Sequence, residues 1–285
     1  MQNLSVEDTY FKANQINVNG KLIDFTVPKI MGIINITEDS FYSKSRYKTD
    51  LEILNQSEKM ISEGATFLDL GAFSTRPISQ IVDISQEIDR ITTATKRILK
   101  EFPTTIISID TFRGEVAQAG IDAGARIIND ISGFSFDPKM LETVARNKVP
   151  YILMHLQGTF ETMHNAYSYE SIGGEVMDYF LEKISILKEH HLHDIILDPG
   201  FGFSKNSAQN YDLFHQLDSL RIMNRPLLVG VSRKSMIYKK LGITAEESLN
   251  GTTALNAIAL AKGASILRVH DVAPAKQIIQ LLQPE

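Results

Sequence analysis

The sequence has no cysteine among its 285 residues. That absence excludes disulfides, Cys-ligated zinc, iron–sulfur clusters and thiol nucleophiles. An excess of positive charge is missing too. The 29 Lys and Arg face 34 Asp and Glu, a formal charge of −5, which offers no general basic surface for nucleic acid. An anionic ligand must then be held by a few placed cations. No apolar run approaches the length of a membrane span, and Met1-Gln2-Asn3-Leu4 lacks the basic start and apolar core of a signal peptide. The expectation is a cytoplasmic protein that engages neither nucleic acid nor membrane. No linker rich in Pro, Gly or Ser divides the chain, so one main domain is expected.

What is present is a large apolar fraction, 43% of residues, enough for a substantial core. Near the N-terminus, Ile16-Asn17-Val18 and Leu22-Ile23-Asp24-Phe25 flank Asn19-Gly20, the strongest short hairpin signal. Residues 1–29 are therefore read as a hairpin extension that plugs or decorates one end of the domain formed by residues 30–285. From Ile30 the chain alternates. Strand-like runs fall at 30–36, 66–70, 105–109, 126–128, 151–154, 194–197, 226–231 and 265–269. Helix-like stretches separate them at 51–63, 85–102, 114–123, 138–147, 172–189, 208–220 and 245–262, with a last one at 273–282. Pro138 after Asp137 is a helix-start signature. Eight strands, each followed by a helix, predict an α/β fold, a single (β/α)8 TIM barrel with a short N-terminal β-hairpin, rather than an open doubly wound sheet.

In such barrels the chemistry sits at the C-terminal ends of the strands. Here the runs end in Asn35, Asp69, Asp110, Asn129-Asp130, His155, Asp198, Ser232-Arg233-Lys234-Ser235 and Arg268-Val269-His270-Asp271. One such residue is ordinary turn or cap chemistry; eight together point to a shared polar mouth. Asp110, Asn129 and Asp198 suit a neutral heterocycle carrying N–H donors and a carbonyl. Arg233, Lys234, Arg268 and His270 cluster after the last two strands, where barrels commonly bind phosphate. Pro199, Gly200 and Gly202 impose a tight loop between Asp198 and Phe203, and the two glycines are read as the hinge of that arrangement. His164, Tyr167 and Tyr169 are read as a surface loop. The long polar segments Glu38–Asp50 and Ala72–Ser85 are expected to close over the site as lids.

Several ordered motifs carry a family resemblance. Met31-Gly-Ile-Ile-Asn35-Ile-Thr-Glu-Asp-Ser-Phe41, Ser74-Thr-Arg-Pro77, Ser108-Ile-Asp110-Thr and Ile128-Asn-Asp-Ile131 resemble the dihydropteroate synthases. So do Met154-His-Leu-Gln-Gly158-Thr, Asp198-Pro-Gly-Phe-Gly-Phe203, Ser232-Arg-Lys-Ser235 and Arg268-Val-His-Asp271. The resemblance covers about residues 30–282 and implies condensation of 6-hydroxymethyl-7,8-dihydropterin diphosphate with p-aminobenzoate in folate biosynthesis. It implies that Asp110, Asn129, Asp198, Lys234 and Arg268 bind the pterin, with Asp110, Lys234 and Arg268 closest to the chemistry. Asn35, Thr75, Arg76, Arg268 and His270 would face the diphosphate, with Mg2+ held partly by Asn35. Pro77, Phe203, Lys234 and Ser235 would line the p-aminobenzoate pocket. A homodimer and a sulfonamide target follow from the same resemblance.

The sequence departs from the family pattern in the lids. Glu38 stands where proline is usual, Lys44–Tyr47 lacks the usual glycines, Ala72-Phe73 replaces a small-acidic pair, and Ile78 follows Pro77. Two alternatives stay open from the residues alone: a pterin-binding methyltransferase module, and a catalytically silent pterin-binding paralogue.

Overall fold

The structure is a computed structural model that describes residues 15–36, 46–72 and 83–283, with the backbone alone for 46–50. Strands β1 (Gln15–Val18) and β2 (Lys21–Asp24) pair antiparallel. Asn19 and Gly20 between them have φ of 51° and 85°, the two positive values that a tight hairpin turn demands. Period-2 alternation turns Ile16, Val18 and Ile23 to one face, and with Phe25 they are buried. They pack on Met31, Phe67, Ile127, Ile152, Ile196, Leu228 and Ile266, which lie at or near the starts of the barrel strands. The hairpin thus plugs the bottom of the barrel. Because Ile16 is fully buried in that plug, Ile16→Val should lower stability by about 0.5–1.5 kcal/mol in denaturant titration. No loss would show that the hairpin merely rests on the barrel.

The main sheet is parallel. It comprises β3 (Lys29–Asn35), β4 (Phe67–Gly71), β5 (Ile106–Asp110), β6 (Ile127–Asp130), β7 (Tyr151–Met154), β8 (Ile195–Asp198), β9 (Leu228–Val229) and β10 (Ile266–Val269). Their spatial order is β8-β7-β6-β5-β4-β3-β10-β9. A parallel bridge between Leu197 and Leu227 joins the two ends, so eight strands close into a barrel as expected. Helices α1 (Arg46–Ser62), α2 (Ile84–Glu101), α3 (Gly114–Ala123), α4 (Pro138–Asn147) and α5 (Ile172–Glu189) follow successive strands. So do α6 (Ser207–His215), α7 (Ser235–Leu241), α8 (Leu249–Ala261) and α9 (Val272–Leu282). The strands are buried on both faces and therefore read as near-continuous apolar runs. Asp83 and Asp137 accept hydrogen bonds from backbone amides at the starts of α2 and α4, and Asn206 forms a capping box with Gln209 at α6.

Three expectations change. Helix α1 starts at Arg46, so less of 38–50 is loop than its polarity suggests. Strand β9 is only two residues long, Leu228–Val229, against the run expected at 226–231. Helix α7 falls where the sequence pattern predicts no helix. It is one short segment ended by Gly242 at φ 67°, too brief for an apolar period to register. No described helix is long and apolar enough to cross a membrane.

Candidate active site at the barrel mouth

The period of two that seats the plug also builds the site. Met31, Phe67, Ile127, Ile152, Ile196, Leu228 and Ile266 form the apolar floor. Two residues further along, on the same face, stand Asp69, Asn129, Met154, Asp198, Gly230 and Arg268. Two further again come Asn35, Gly71, Asp110, Ser232 and His270. The barrel interior therefore changes from apolar to polar within one step along the strands.

Arg268 is fixed at the centre. Its Nε donates to Asp69 Oδ2 and its Nη2 to Asp110 Oδ2, each at 2.6 Å. Asn129 Nδ2 donates to the same Asp69 oxygen at 2.8 Å. One fully buried carboxylate thus orients two of the expected pterin-binding residues. Burial works against the Arg268 charge, but Asp69 and Asp110 outweigh it and hold the guanidinium protonated. Burial pushes Asp110 up to about 7 against the pull of Arg268, with Asp69 pushing the same way. Asp198 is also raised by burial, opposed mainly by Lys234. Burial lowers Lys234 to about 8, and the nearby Asp198 carboxylate holds it from falling further. Lys234 Nζ donates to the Phe201 carbonyl and lies 4.9 Å from the centre of the Phe203 ring. His270 Nδ1 is 3.0 Å from Ser232 Oγ, which also accepts from the His270 backbone N–H at 3.2 Å. That contact sets the imidazole at the rim.

Around the rim the strand register places Asn35 opposite Gly71, Gly71 opposite Asp110, and Asp110 opposite Asn129. A Cβ on Gly71 would meet both Asn35 Oδ1 and an Asp110 oxygen within 4 Å, so those oxygens flank one gap. No group of three or more His, Asp or Glu that could hold a metal exists among the described residues. An exposed carboxamide oxygen beside a carboxylate nevertheless fits Mg2+, which keeps waters and takes substrate phosphate oxygens rather than requiring an all-protein cage.

Of the expected site residues, the barrel brings Asn35, Asp110, Asn129, Asp198, Lys234, Arg268 and His270 to one mouth. Phe203 joins an apolar cluster with Met154, Ile131 and Phe112, and Ser235 opens α7 directly after Lys234. Thr75, Arg76 and Pro77 lie outside the described residues, as do Glu38, Phe73 and Ile78. Some strand-end groups do not face the mouth. Arg233 makes a bidentate pair with Asp271 at 2.9 Å and donates to the Ala245 and Glu246 carbonyls. It braces the loop and is no phosphate ligand. Asp130 accepts from Tyr151 Oη and the Ser132 and Phe134 amides, and His155 lies against Tyr179 at 4.9 Å. Both sit one residue out of phase with the inward set, which turns them toward the helices. Tyr167 and Tyr169 are half-buried on the Phe201–Lys205 loop, not a free surface: the Tyr167 N–H and Tyr169 Oη both donate to the Ser204 carbonyl. Asp69 and Ser232, which orient Arg268, Asn129 and His270, are not among the residues the motifs assign to substrate. The alternation from Phe67 to Asp69 was the available signal for the first.

A parallel barrel whose interior ends in this ring of carboxylates, amide and cations defines a pterin-binding enzyme, and the sequence profile described as pterin binding enzyme matches residues 31–270. The dihydropteroate synthase of Escherichia coli (strain K12) is 38% identical over 266 residues, covering 93% of this chain and 94% of that protein. The Yersinia pestis dihydropteroate synthase in a sulfonamide drug complex superposes with a TM-score of 0.87 at 34% identity, covering 94% of this chain and 97% of that one. The Xanthomonas albilineans dihydropteroate synthase with 4-aminobenzoic acid gives 0.86 at 32%, covering 94% and 96%. The chain belongs to the dihydropteroate synthase family.

Proposed function

We propose that the barrel mouth condenses 6-hydroxymethyl-7,8-dihydropterin diphosphate with p-aminobenzoate, giving 7,8-dihydropteroate and pyrophosphate. The observation that carries the assignment of residues is the Arg268 guanidinium, fixed by Asp69 and Asp110 beside Asn129. Its edge is occupied by carboxylates, which leaves its planar face for the pterin ring. Asn129 and Asp198 hydrogen-bond the pterin edge, Asp198 as a charged acceptor for ring N–H groups. Lys234, held between the Phe201 carbonyl and the Phe203 ring, donates to the pterin and borders the p-aminobenzoate pocket with Ser235 and Pro77. Asn35, Thr75, Arg76, Arg268 and His270 face the diphosphate.

In the reaction the bond between the pterin methylene carbon and the diphosphate oxygen breaks, and its electron pair leaves with pyrophosphate. The arylamine nitrogen attacks that carbon and then loses a proton to water. No activated side-chain nucleophile is needed. Arg268 and His270 stabilise the charge that grows on the leaving group, while Asp110 and Asp198 add negative potential beside the electron-poor carbon. Mg2+, when bound with Asn35 as its side-chain ligand, supplies further neutralisation of the diphosphate. A homodimer and a cytoplasmic location are proposed on family resemblance.

Incubating the protein with dihydropterin diphosphate, p-aminobenzoate and Mg2+ should release pyrophosphate only when all are present. Absence of release from protein verified as folded by circular dichroism would overturn this function.

A further inference from the structure

The loop after β8 carries a buried cation to which neither the fold nor the reaction as described assigns a task. Lys205 is 6% exposed. Its Nζ lies 3.0 Å from His155 Nδ1 and donates to the Gly200 carbonyl at 3.1 Å and the Phe203 carbonyl at 3.2 Å. An ammonium has three protons, and here there are three acceptors. His155 is itself buried at the end of β7, wedged against Tyr179 and Tyr169. Its backbone N–H donates to the Asp198 carbonyl.

Three of the loop's backbone amides are held by its surroundings. Asp198 Oδ1 accepts from the Gly200 amide, Asn210 Oδ1 from the Gly202 amide, and the Met163 carbonyl from the Ser204 amide. Gly200 and Gly202 have φ of 70° and 84°, and a Cβ on Gly200 would overlap the His155 carbonyl oxygen. Both glycines therefore serve left-handed turns and a close approach of the loop to the end of β7. Within this loop, one turn presents the Phe201 carbonyl to Lys234, and the next places the Phe203 ring beside the same ammonium. The two carbonyls that Lys205 grips, Gly200 and Phe203, flank that stretch.

We propose that Lys205, anchored by His155, is a positioning residue for the p-aminobenzoate pocket. It fixes the two turns between Gly200 and Phe203 and, through the Phe201 carbonyl, the place of the Lys234 ammonium. It reaches no substrate itself. Burial lowers the Lys205 amine to about 7, and the contacts survive that titration. The neutral amine keeps two donors for the carbonyls and accepts from His155 in its Nδ1–H tautomer. The charges acting on it are Asp198 and Lys234; the His155 imidazole, kept neutral by burial and by Lys205 itself, is the titratable group in contact, with the Tyr169 and Tyr179 rings against it.

The inference rests on the synthase reading, and the test separates the two. Wild-type protein that releases no pyrophosphate ends that reading, whatever Lys205 does. With wild type active, Lys205→Met should raise KM for p-aminobenzoate roughly tenfold, the loss of hydrogen bonds to a charged group. KM for dihydropterin diphosphate should rise less, by about threefold on the same scale, because Lys234 serves that substrate too, whereas Asn129, Asp198 and Arg268 hold it from β6, β8 and β10. Equal effects on both substrates, or none, would overturn the proposal. His155→Gln and His155→Leu provide the control should the lysine variant not fold. Glutamine keeps an acceptor for Lys205 and should preserve the p-aminobenzoate KM, whereas leucine removes it and should reproduce the lysine defect. Identical p-aminobenzoate KM in the two His155 variants would equally refute it.

Discussion

Arg268→Ala should be the most damaging single change in the mouth, in stability as well as binding. The side chain bridges Asp69, which is fully buried, and Asp110 at 2.6 Å each. Removing it leaves two carboxylates facing one another with no cation between them. Breaking a buried ion pair by deleting one partner costs about 3–5 kcal/mol, and denaturant titration should register a loss of that order. Asp69 has no other cation within bonding distance among the described residues, and its second oxygen, Oδ1, already lacks a partner, so little is available to relax the charge. The binding effect should be selective. Calorimetry should show affinity for the pterin diphosphate falling far more than that for p-aminobenzoate, since the lost guanidinium serves the ring and the leaving group. The reverse order would contradict this division of labour. Adding Asp69→Asn to Arg268→Ala should recover part of the stability, because the amide carries no charge to be left unpaired; no recovery would mean the ion pair is not the source of the loss.

Asp198→Asn should weaken pterin binding by roughly 10- to 100-fold, the value of a hydrogen bond to a charged group, with little change in fold. The substitution is close to isosteric, and the Asn oxygen can still accept from the Gly200 amide, which Asp198 Oδ1 now holds at 2.8 Å. What disappears is the negative charge and with it an acceptor site for the ring N–H groups. The Lys234 ammonium also loses support. Burial already lowers it to about 8, and Asp198 is the largest influence opposing that fall. In the variant Lys234 should lose its proton at lower pH than in the wild type, so turnover should decline earlier on the alkaline side. An unchanged pterin affinity by calorimetry would refute the role given to Asp198.

Arg233 and Arg268 show where local pattern stops being informative. Both are arginines next to strand ends and both looked available for phosphate. Arg268 is in phase with Ile266 on the inward face and meets Asp69 across the barrel, a contact between residues 199 positions apart. Arg233 is out of phase and closes on Asp271. The same one-residue difference separates Asn129 from Asp130, and Met154, the neighbour of Asp198 in the sheet, from the outward His155.

By itself the sequence determined the alternation of strands and helices, the hairpin turn at Asn19-Gly20, and the set of polar residues at the strand ends. Each is written in short-range spacing, a period of two or of 3.6, or a turn that needs positive φ. The family was also legible, because motifs such as Asp198-Pro-Gly-Phe-Gly-Phe203 are contiguous. Only the tertiary structure decided which strand-end groups share the mouth, and that Asp69 is the hub joining Arg268 to Asn129. It also decided that the Asp198–Lys205 loop is gripped from inside by Lys205. Those facts depend on closure of the barrel and on strand register. Closure brings together carboxylates and cations far apart in the chain, and register turns adjacent residues to opposite faces.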